Sequence, residues 1–295
     1  MKELRFDDQV AIITGAGKGI GKAQALELAA RGAQVVVNNR HKTSAGTVSS
    51  ADQTVSEIID RGGKAVAEYS DICDQGAALK IIDTTIQNFG RVDVLILNAA
   101  ITTAEMFHKT SLESFRSIME VNVFANVSLL REVLPYFREQ GYGRIIFTIS
   151  SAGLYGVPGA SAYSASKGAM HALMLSLASE SEGRNIHCNA IAPFAASQMT
   201  DAYLDEATKL SLAPESTLPA AVWLAHKDCP ASGETWVTAG NRVRRAHVVE
   251  SLESHLALTA EQLAQNFVAA SDMTNTQSFA TANHSFNSIL NSIKA

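Results

Sequence analysis

Short apolar runs alternate with longer stretches in which apolar residues recur at helical spacing, and this alternation holds from the first residues to about Gly240. Val10 to Thr14 (VAIIT) predicts a strand buried on both faces, Ile20 to Arg31 a helix that Gly32 stops, and Gln34 to Asn38 the next strand. Further strands are predicted at Ala65 to Glu68, Val92 to Leu97, Arg144 to Ile149 and His187 to Ile191, with helical segments between them. Strand, helix and strand repeated in this way imply an α/β fold with a doubly wound parallel sheet. Crossovers between parallel strands are right-handed, so helices cover both faces and ligands gather where the strands end.

Residues 40–51 (RHKTSAGTVSSA) are too polar for a strand and predict a loop directly after the second strand. Beyond Gly240 the alternation stops. Thr259 with Gln262 offers a capping box that opens a helix on which Leu263 and Phe267 share a face, and Phe286, Ile289, Leu290 and Ile293 recur at helical spacing. The organisation expected is therefore an α/β domain over residues 1–240 and a packed C-terminal helical extension over 241–295, with no internal repeat. The apolar helix faces of that extension need burial, against the substrate entrance or against a partner subunit.

At 46% hydrophobic residues the 295-residue chain can bury a substantial core. A net charge of -5 without a long basic run predicts no nucleic-acid partner. The charged opening MKELRFDD does not read as a signal peptide, and no apolar stretch approaches the roughly 20 residues that span a bilayer. A cytoplasmic protein without a membrane association is expected. Cys73, Cys188 and Cys229 are an odd count without CxxC spacing, and the eight histidines show no paired ligand spacing, so neither a disulfide framework nor a metal site is predicted.

Two constellations carry chemistry. Gly15-Ala16-Gly17-Lys18-Gly19-Ile20-Gly21 stands between a predicted strand and a predicted helix, where small residues let the backbone approach a pyrophosphate and aim helix N-terminal amides at it. This is the arrangement of a Rossmann fold. Tyr163 and Lys167, four residues apart, share one face of a helix, and a cation beside a phenol brings its proton affinity toward neutrality, making a usable acid/base.

Thr14 to Gly21, Asp71-Ile72, Asn98-Ala99-Ala100, Asn122, Ser150 and Tyr163-xxx-Lys167 occur in order, and together they resemble the short-chain dehydrogenase/reductase family over residues 6–240. The resemblance implies an NAD(P)-dependent oxidoreductase that interconverts a secondary alcohol and a ketone. It implies Tyr163 as general acid/base and Ser150, thirteen residues earlier, as hydrogen-bond donor to the substrate oxygen. Lys167 would lower the Tyr163 pKa and bind the nicotinamide ribose, and Asn122 would hold a water linking Lys167 to solvent. Gly15, Gly17, Lys18, Gly19, Ile20 and Gly21 would cradle the cofactor, Asp71 and Ile72 its adenine, Asn98 and Ala99 its middle, and Pro193 its nicotinamide. Two departures stand out: Ala100 replaces the usual glycine after Asn-Ala, and Phe194 replaces the glycine after Pro193, which leaves Ser197 to hold the carboxamide.

At the end of the second strand, Asn39 stands where NAD-specific members carry an acid, and Arg40 follows it. A carboxylate there binds both ribose hydroxyls and repels a 2′-phosphate, whereas a neutral residue beside arginine admits one, so NADP(H) is expected over NAD(H). LRFD (Leu4 to Asp7), RGGKAVA (Arg61 to Ala67), YGRII (Tyr142 to Ile146), NIHCNAIAP (Asn185 to Pro193), SQMT (Ser197 to Thr200) and SDMTN (Ser271 to Asn275) give a narrower resemblance. They are similar to the (3R)-hydroxyacyl-CoA dehydrogenase units of type 2 multifunctional β-oxidation enzymes, without the fused hydratase and carrier domains. The substrate implied is a 3-hydroxyacyl-CoA/3-oxoacyl-CoA pair, the alternatives being a hydroxysteroid or general secondary alcohol, or a non-catalytic dinucleotide-binding role. Arg242, Arg244 and Arg245 form a basic cluster that could pair with coenzyme A phosphates. The expected assembly is a homodimer or homotetramer.

Overall fold

A computed structural model of the chain describes residues 3–40, 48–196, 205–252 and 259–294. It divides into two compact units, Met1–Arg245 and Ala246–Ala295. The first unit thus runs five residues past the point where the sequence pattern changes.

The strands of the large sheet are β1 (Val10–Thr14), β2 (Gln34–Asn38), β3 (Lys64–Glu68), β4 (Val94–Leu97), β5 (Gly143–Thr148), β6 (Ile186–Pro193), β7 (Thr235–Ala239) and β8 (Arg242–Ala246). They form one sheet in the order β3-β2-β1-β4-β5-β6-β7-β8. Neighbours from β3 to β7 run parallel, with Ile12 opposite Val36 on one side and Leu95 on the other, and Ile146 opposite Ile96 and Asn189. The doubly wound parallel sheet expected from the apolar pattern is therefore present. Val10 to Thr14 and Val94 to Leu97 are buried throughout, because helices cover both faces and leave no polar side to the strands. The edge strand β8 returns beside β7 through a two-residue turn, Gly240-Asn241, in which both residues have positive φ (51° and 59°).

The helices are α1 (Gly19–Ala30), α2 (Ser50–Asp60), α3 (Ala77–Phe89), α4 (Leu112–Met119), α5 (Ala125–Gln140), α6 (Ser151–Tyr155), α7 (Ser161–Glu180), α8 (Glu206–Ser211) and α9 (Leu218–Ala225). Ser49 caps α2 by accepting from the Asp52 amide at 3.0 Å, so that helix begins inside the stretch whose polarity predicted a loop. A π-helical turn, Glu120–Phe124, joins α4 to α5. The buried Asn126 amide donates to the carbonyls of Val121 and Asn122 at 3.3 and 3.0 Å, satisfying groups that the widened turn displaces from regular pairing.

The second unit contains α10 (Ala260–Gln265), α11 (Phe267–Ala270) and α12 (Ala282–Lys294), and also a short antiparallel pair, β9 (Glu250–Ser251) with β10 (Thr276–Gln277). It is thus mixed rather than purely helical. Thr259 caps α10 as its sequence position predicts, accepting from the Gln262 amide at 3.3 Å. Leu263, Phe267, Phe286, Ile289 and Ile293 are exposed.

Candidate active site

The glycine-rich turn leaves β1 and enters α1, and its glycines are needed for close approach. Gly15 has φ +65°, and a Cβ there would stand 3.0 Å from the Ala99 Cα; at Gly21 it would stand 2.5 Å from Asn98 Nδ2. The loop after β4 is fixed to the same turn through Thr14, whose hydroxyl accepts from the Asn98 and Ala99 amides at 3.0 and 3.1 Å, while Asn98 Nδ2 donates to Thr14 O at 2.9 Å. Beside this junction opens a cleft of about 670 Å³, lined among others by Gly15, Lys18, Gly19, Ile20, Asn98, Ala99 and Ile101. Lys18 stands at the N-cap of α1 without a side-chain cap, so no side chain of the cap position occupies the first-turn amides that border the cleft. These features fit a dinucleotide: a phosphate meets a cation and outward-facing amides, and glycines keep the wall low.

The other end of the cleft is lined by Asn38, Asn39, Arg40, Ser49, Ser50, Ser70, Asp71 and Ile72. Asn39 donates to Ser50 Oγ at 2.8 Å, and Arg40 Nη1 pairs with Asp71 Oδ2 at 3.1 Å. Behind them the buried Glu68 carboxylate accepts from Asn38 Nδ2 at 2.6 Å and from the Ser70 hydroxyl at 2.6 Å, shaping the bend that presents Asp71.

Ser150 follows β5 and caps α6, accepting from the Ala152 amide at 3.1 Å. Tyr163 and Lys167 lie one turn apart on α7, with the Lys167 Nζ 5.7 Å from the Tyr163 ring centroid. Asn122, in the π-turn, accepts from the Ile101 amide at 2.8 Å and donates to Ile101 O and to Ser166 Oγ, both at 2.9 Å. Ser166 in turn donates to Tyr163 O at 2.7 Å. A continuous hydrogen-bonded path thus runs from Ile101 in the cleft wall to the turn of α7 that carries Tyr163 and Lys167.

The electrostatics differ from the sequence expectation in one respect. Burial pushes the Tyr163 phenol above its ordinary value, with the Ser150 hydroxyl pulling it the other way. Lys167, expected to lower it, instead donates to Thr148 O at 2.6 Å. Buried itself, Lys167 is pushed down from 10.5 to about 8. Pro193 ends β6, and the Phe194 amide donates to Thr238 O at 2.8 Å, so the residue in place of glycine prolongs the strand pairing. Ser197 and the rest of SQMT lie outside the described residues. Thr14, Glu68 and Ser166 were not singled out individually from the sequence. Thr14, which opens the glycine-rich motif, and Ser166, inside the Tyr163–Lys167 spacing, stood where a functional signal pointed; Glu68 did not.

Residues 9–208 match the family model of the short chain dehydrogenases. The chain belongs to this family. The dehydrogenase is 39% identical over 242 residues to a short-chain type dehydrogenase/reductase of Mycobacterium tuberculosis, covering 81% of this chain and 84% of that one. It is 38% identical over 250 residues to peroxisomal multifunctional enzyme type 2 of Drosophila melanogaster, covering 84% of this chain and 41% of the relative. The full-length structure of that fly enzyme matches with a TM-score of 0.83 at 28% identity, over 99% of this chain and 50% of the other. The dehydrogenase therefore spans about half or less of the multifunctional relative. A 7α-hydroxysteroid dehydrogenase complexed with NADH and 7-oxo glycochenodeoxycholic acid matches with a TM-score of 0.73 at 30% identity, over 81% and 97% of the two chains. The protein is accordingly an oxidoreductase of the NAD(P)-dependent kind that acts on small molecules. No described helix is long and apolar enough to cross a membrane.

Proposed function

We propose that this dehydrogenase interconverts a 3-hydroxyacyl-CoA and its 3-oxo form with NADP(H), using Ser150, Tyr163, Lys167 and Asn122. The observation that carries the catalytic assignment is the path Ile101–Asn122–Ser166–Tyr163, which ties the cleft wall to the helix bearing the phenol and the buried ammonium. When bound, the nicotinamide supplies or accepts the hydride. In the reducing direction the Ser150 hydroxyl donates a hydrogen bond to the substrate carbonyl oxygen and Tyr163 gives that oxygen its proton. A phenol held above its ordinary value by burial is protonated at neutrality and ready to act as the acid. Lys167, one turn along α7 from the phenol, would hold the nicotinamide ribose hydroxyls. Asn122 has both ends of its side-chain amide committed to Ile101 and Ser166, so a relay water would use the second lone pair of its main-chain carbonyl, whose first accepts from Asn126 Nδ2 at 3.0 Å.

Lys18 and Arg40 at the cleft, with neutral Asn39 between strand and loop, support a 2′-phosphate and hence NADP(H). The likeness to the multifunctional relative over most of this chain supports the acyl-CoA substrate. A second reading, a hydroxysteroid substrate, draws support from the likeness to the 7α-hydroxysteroid dehydrogenase. The exposed apolar residues of the second unit support a homodimer or homotetramer in which they are covered.

The deciding experiment is a matrix of NADPH and NADH against a 3-oxoacyl-CoA, a 7-oxo steroid and a short ketone, run on wild type and Tyr163→Phe. NADPH with the acyl-CoA should give the highest kcat/KM, and the variant should lose about 10²–10⁴-fold in rate while binding cofactor nearly as before. A variant retaining more than about a tenth of the rate overturns the acid/base role. Preference for the steroid or for NADH overturns the substrate or the cofactor assignment separately.

A further inference from the structure

Arg40 and Asp71 stand on different strand ends, one after β2 and the other after β3, and both line the cleft. They meet in an ion pair at 3.1 Å between Arg40 Nη1 and Asp71 Oδ2. The contact uses one nitrogen and one oxygen, and both side chains keep solvent contact, at 43% and 28% exposure. Asp71 does not depend on Arg40 for its orientation: its other oxygen, Oδ1, accepts from the Cys73 amide at 3.2 Å, and the Glu68–Ser70 bonds fix the bend just before it. The carboxylate is thus built into the cleft wall, whereas the arginine reaches across to it.

We propose that Asp71 is a specificity-determining residue that holds Arg40 in competition with the 2′-phosphate of NADP(H), and so limits the preference for that cofactor over NAD(H). The inference rests on the reading of Arg40 as the phosphate ligand. A guanidinium favours phosphate over carboxylate, because the phosphate carries more charge and offers more acceptor oxygens. Binding a 2′-phosphate nevertheless means either drawing Arg40 off Asp71 or sharing it, and sharing brings two anions onto one cation. A ribose 2′-hydroxyl is neutral and imposes neither cost, so the Arg40–Asp71 pair persists with NAD(H) bound. The carboxylate therefore lowers affinity for the phosphorylated cofactor alone. The magnitude follows from the exposure of the pair: such contacts are worth little, which corresponds to about a twofold to fivefold effect on the ratio of affinities.

The test uses 5′-AMP and 2′,5′-ADP as probes, titrated calorimetrically into the unloaded full-length protein, with the ratio of their dissociation constants as the readout. Both probes carry the adenine ring, so any effect of position 71 on adenine cancels in the ratio, and the circular dichroism spectrum shows that each variant keeps its fold. Asp71→Asn should shift the ratio toward 2′,5′-ADP by about twofold to fivefold. In an Arg40→Ala background the same substitution should shift it markedly less, because no guanidinium is left to contest. An unchanged ratio in Asp71→Asn overturns the proposal. So does a shift of equal size with and without Arg40, which would make Asp71 a direct repeller of phosphate. The reading beneath it fails by a different result: if Arg40→Ala alone leaves the wild-type ratio untouched, Arg40 is not the phosphate ligand.

Discussion

Gly153 packs backbone to backbone against Lys167: a Cβ added to the glycine would stand 2.6 Å from the Lys167 carbonyl carbon and 2.8 Å from its Cβ. This contact sets how closely α6, which Ser150 caps, lies on α7, which carries Tyr163 and Lys167. Neither backbone can yield without moving a residue of the candidate catalytic set. Gly153→Ala is therefore expected to lower kcat by roughly 10- to 100-fold, the cost of displacing reacting groups by about an ångström, while changing cofactor affinity much less. Steady-state kinetics beside a cofactor titration check this, and a kcat within about twofold of wild type would show that α6 adjusts freely.

The central parallel strands β1 and β4 were legible because they are buried on both faces and read as unbroken apolar runs, VAIIT and VLIL. β7 (TWVTA) and β8 (RVRRA) escaped that criterion: the first mixes threonine with apolar residues, and the second exposes four of its five residues at the sheet edge. The start of α2 was hidden in a polar stretch, although Ser49 with Asp52 is the residue pair of a helix cap. Tyr163, Lys167 and the glycine turn could be singled out because chemistry restricts the residue types at those spacings, whereas Ser150 and Asn122 came only through the family resemblance. The π-turn at Asn122 could not be singled out, since Asn126 and Ile101 hold it through contacts that leave no periodic trace.

Lys167 makes a pH-dependent contribution to stability whose sign can be worked out. Its folded value of about 8 lies below the ordinary 10.5, so between these values the unfolded chain binds more protons than the folded one. Stability attributable to this residue therefore rises with pH across that window, by about 3 kcal/mol in full. Lys167→Met lacks this titration. Denaturant unfolding of both proteins at pH 7.0 and above, in steps up to about 10, should show wild type gaining on the variant as pH rises. A constant difference would mean that the ammonium is not destabilised in the fold.

The second unit exposes Leu263, Phe267, Phe286 and Ile289. Removing Ala246 to Ala295 is expected to change the mass in solution, or to raise KM for the substrate, depending on whether a second subunit or the substrate entrance covers these residues. Light scattering and kinetics on the shortened protein distinguish the two. Unchanged mass together with unchanged KM would leave the unit without either role.

Arg244 and Arg245 project from the edge strand β8 and are exposed, Arg245 pairing with Glu234 at 3.2 Å. If the substrate is an acyl-CoA, its phosphates need cations at a distance from the reacting carbonyl, and an exposed arginine strand end can supply them by charge-assisted hydrogen bonds. Such contacts act in binding rather than in chemistry, so their loss falls on KM. Replacing both arginines by alanine should raise KM for a 3-oxoacyl-CoA by about threefold to tenfold, leave its kcat nearly unchanged, and spare a short ketone that has no phosphate to bind. The effect should shrink as salt is raised, because exposed charges are screened within about 10 Å at 0.1 M ionic strength. Equal effects on both substrates, or no effect on either, would place the coenzyme A phosphates elsewhere or mark the cluster as a solvated edge that keeps β8 from pairing with other chains.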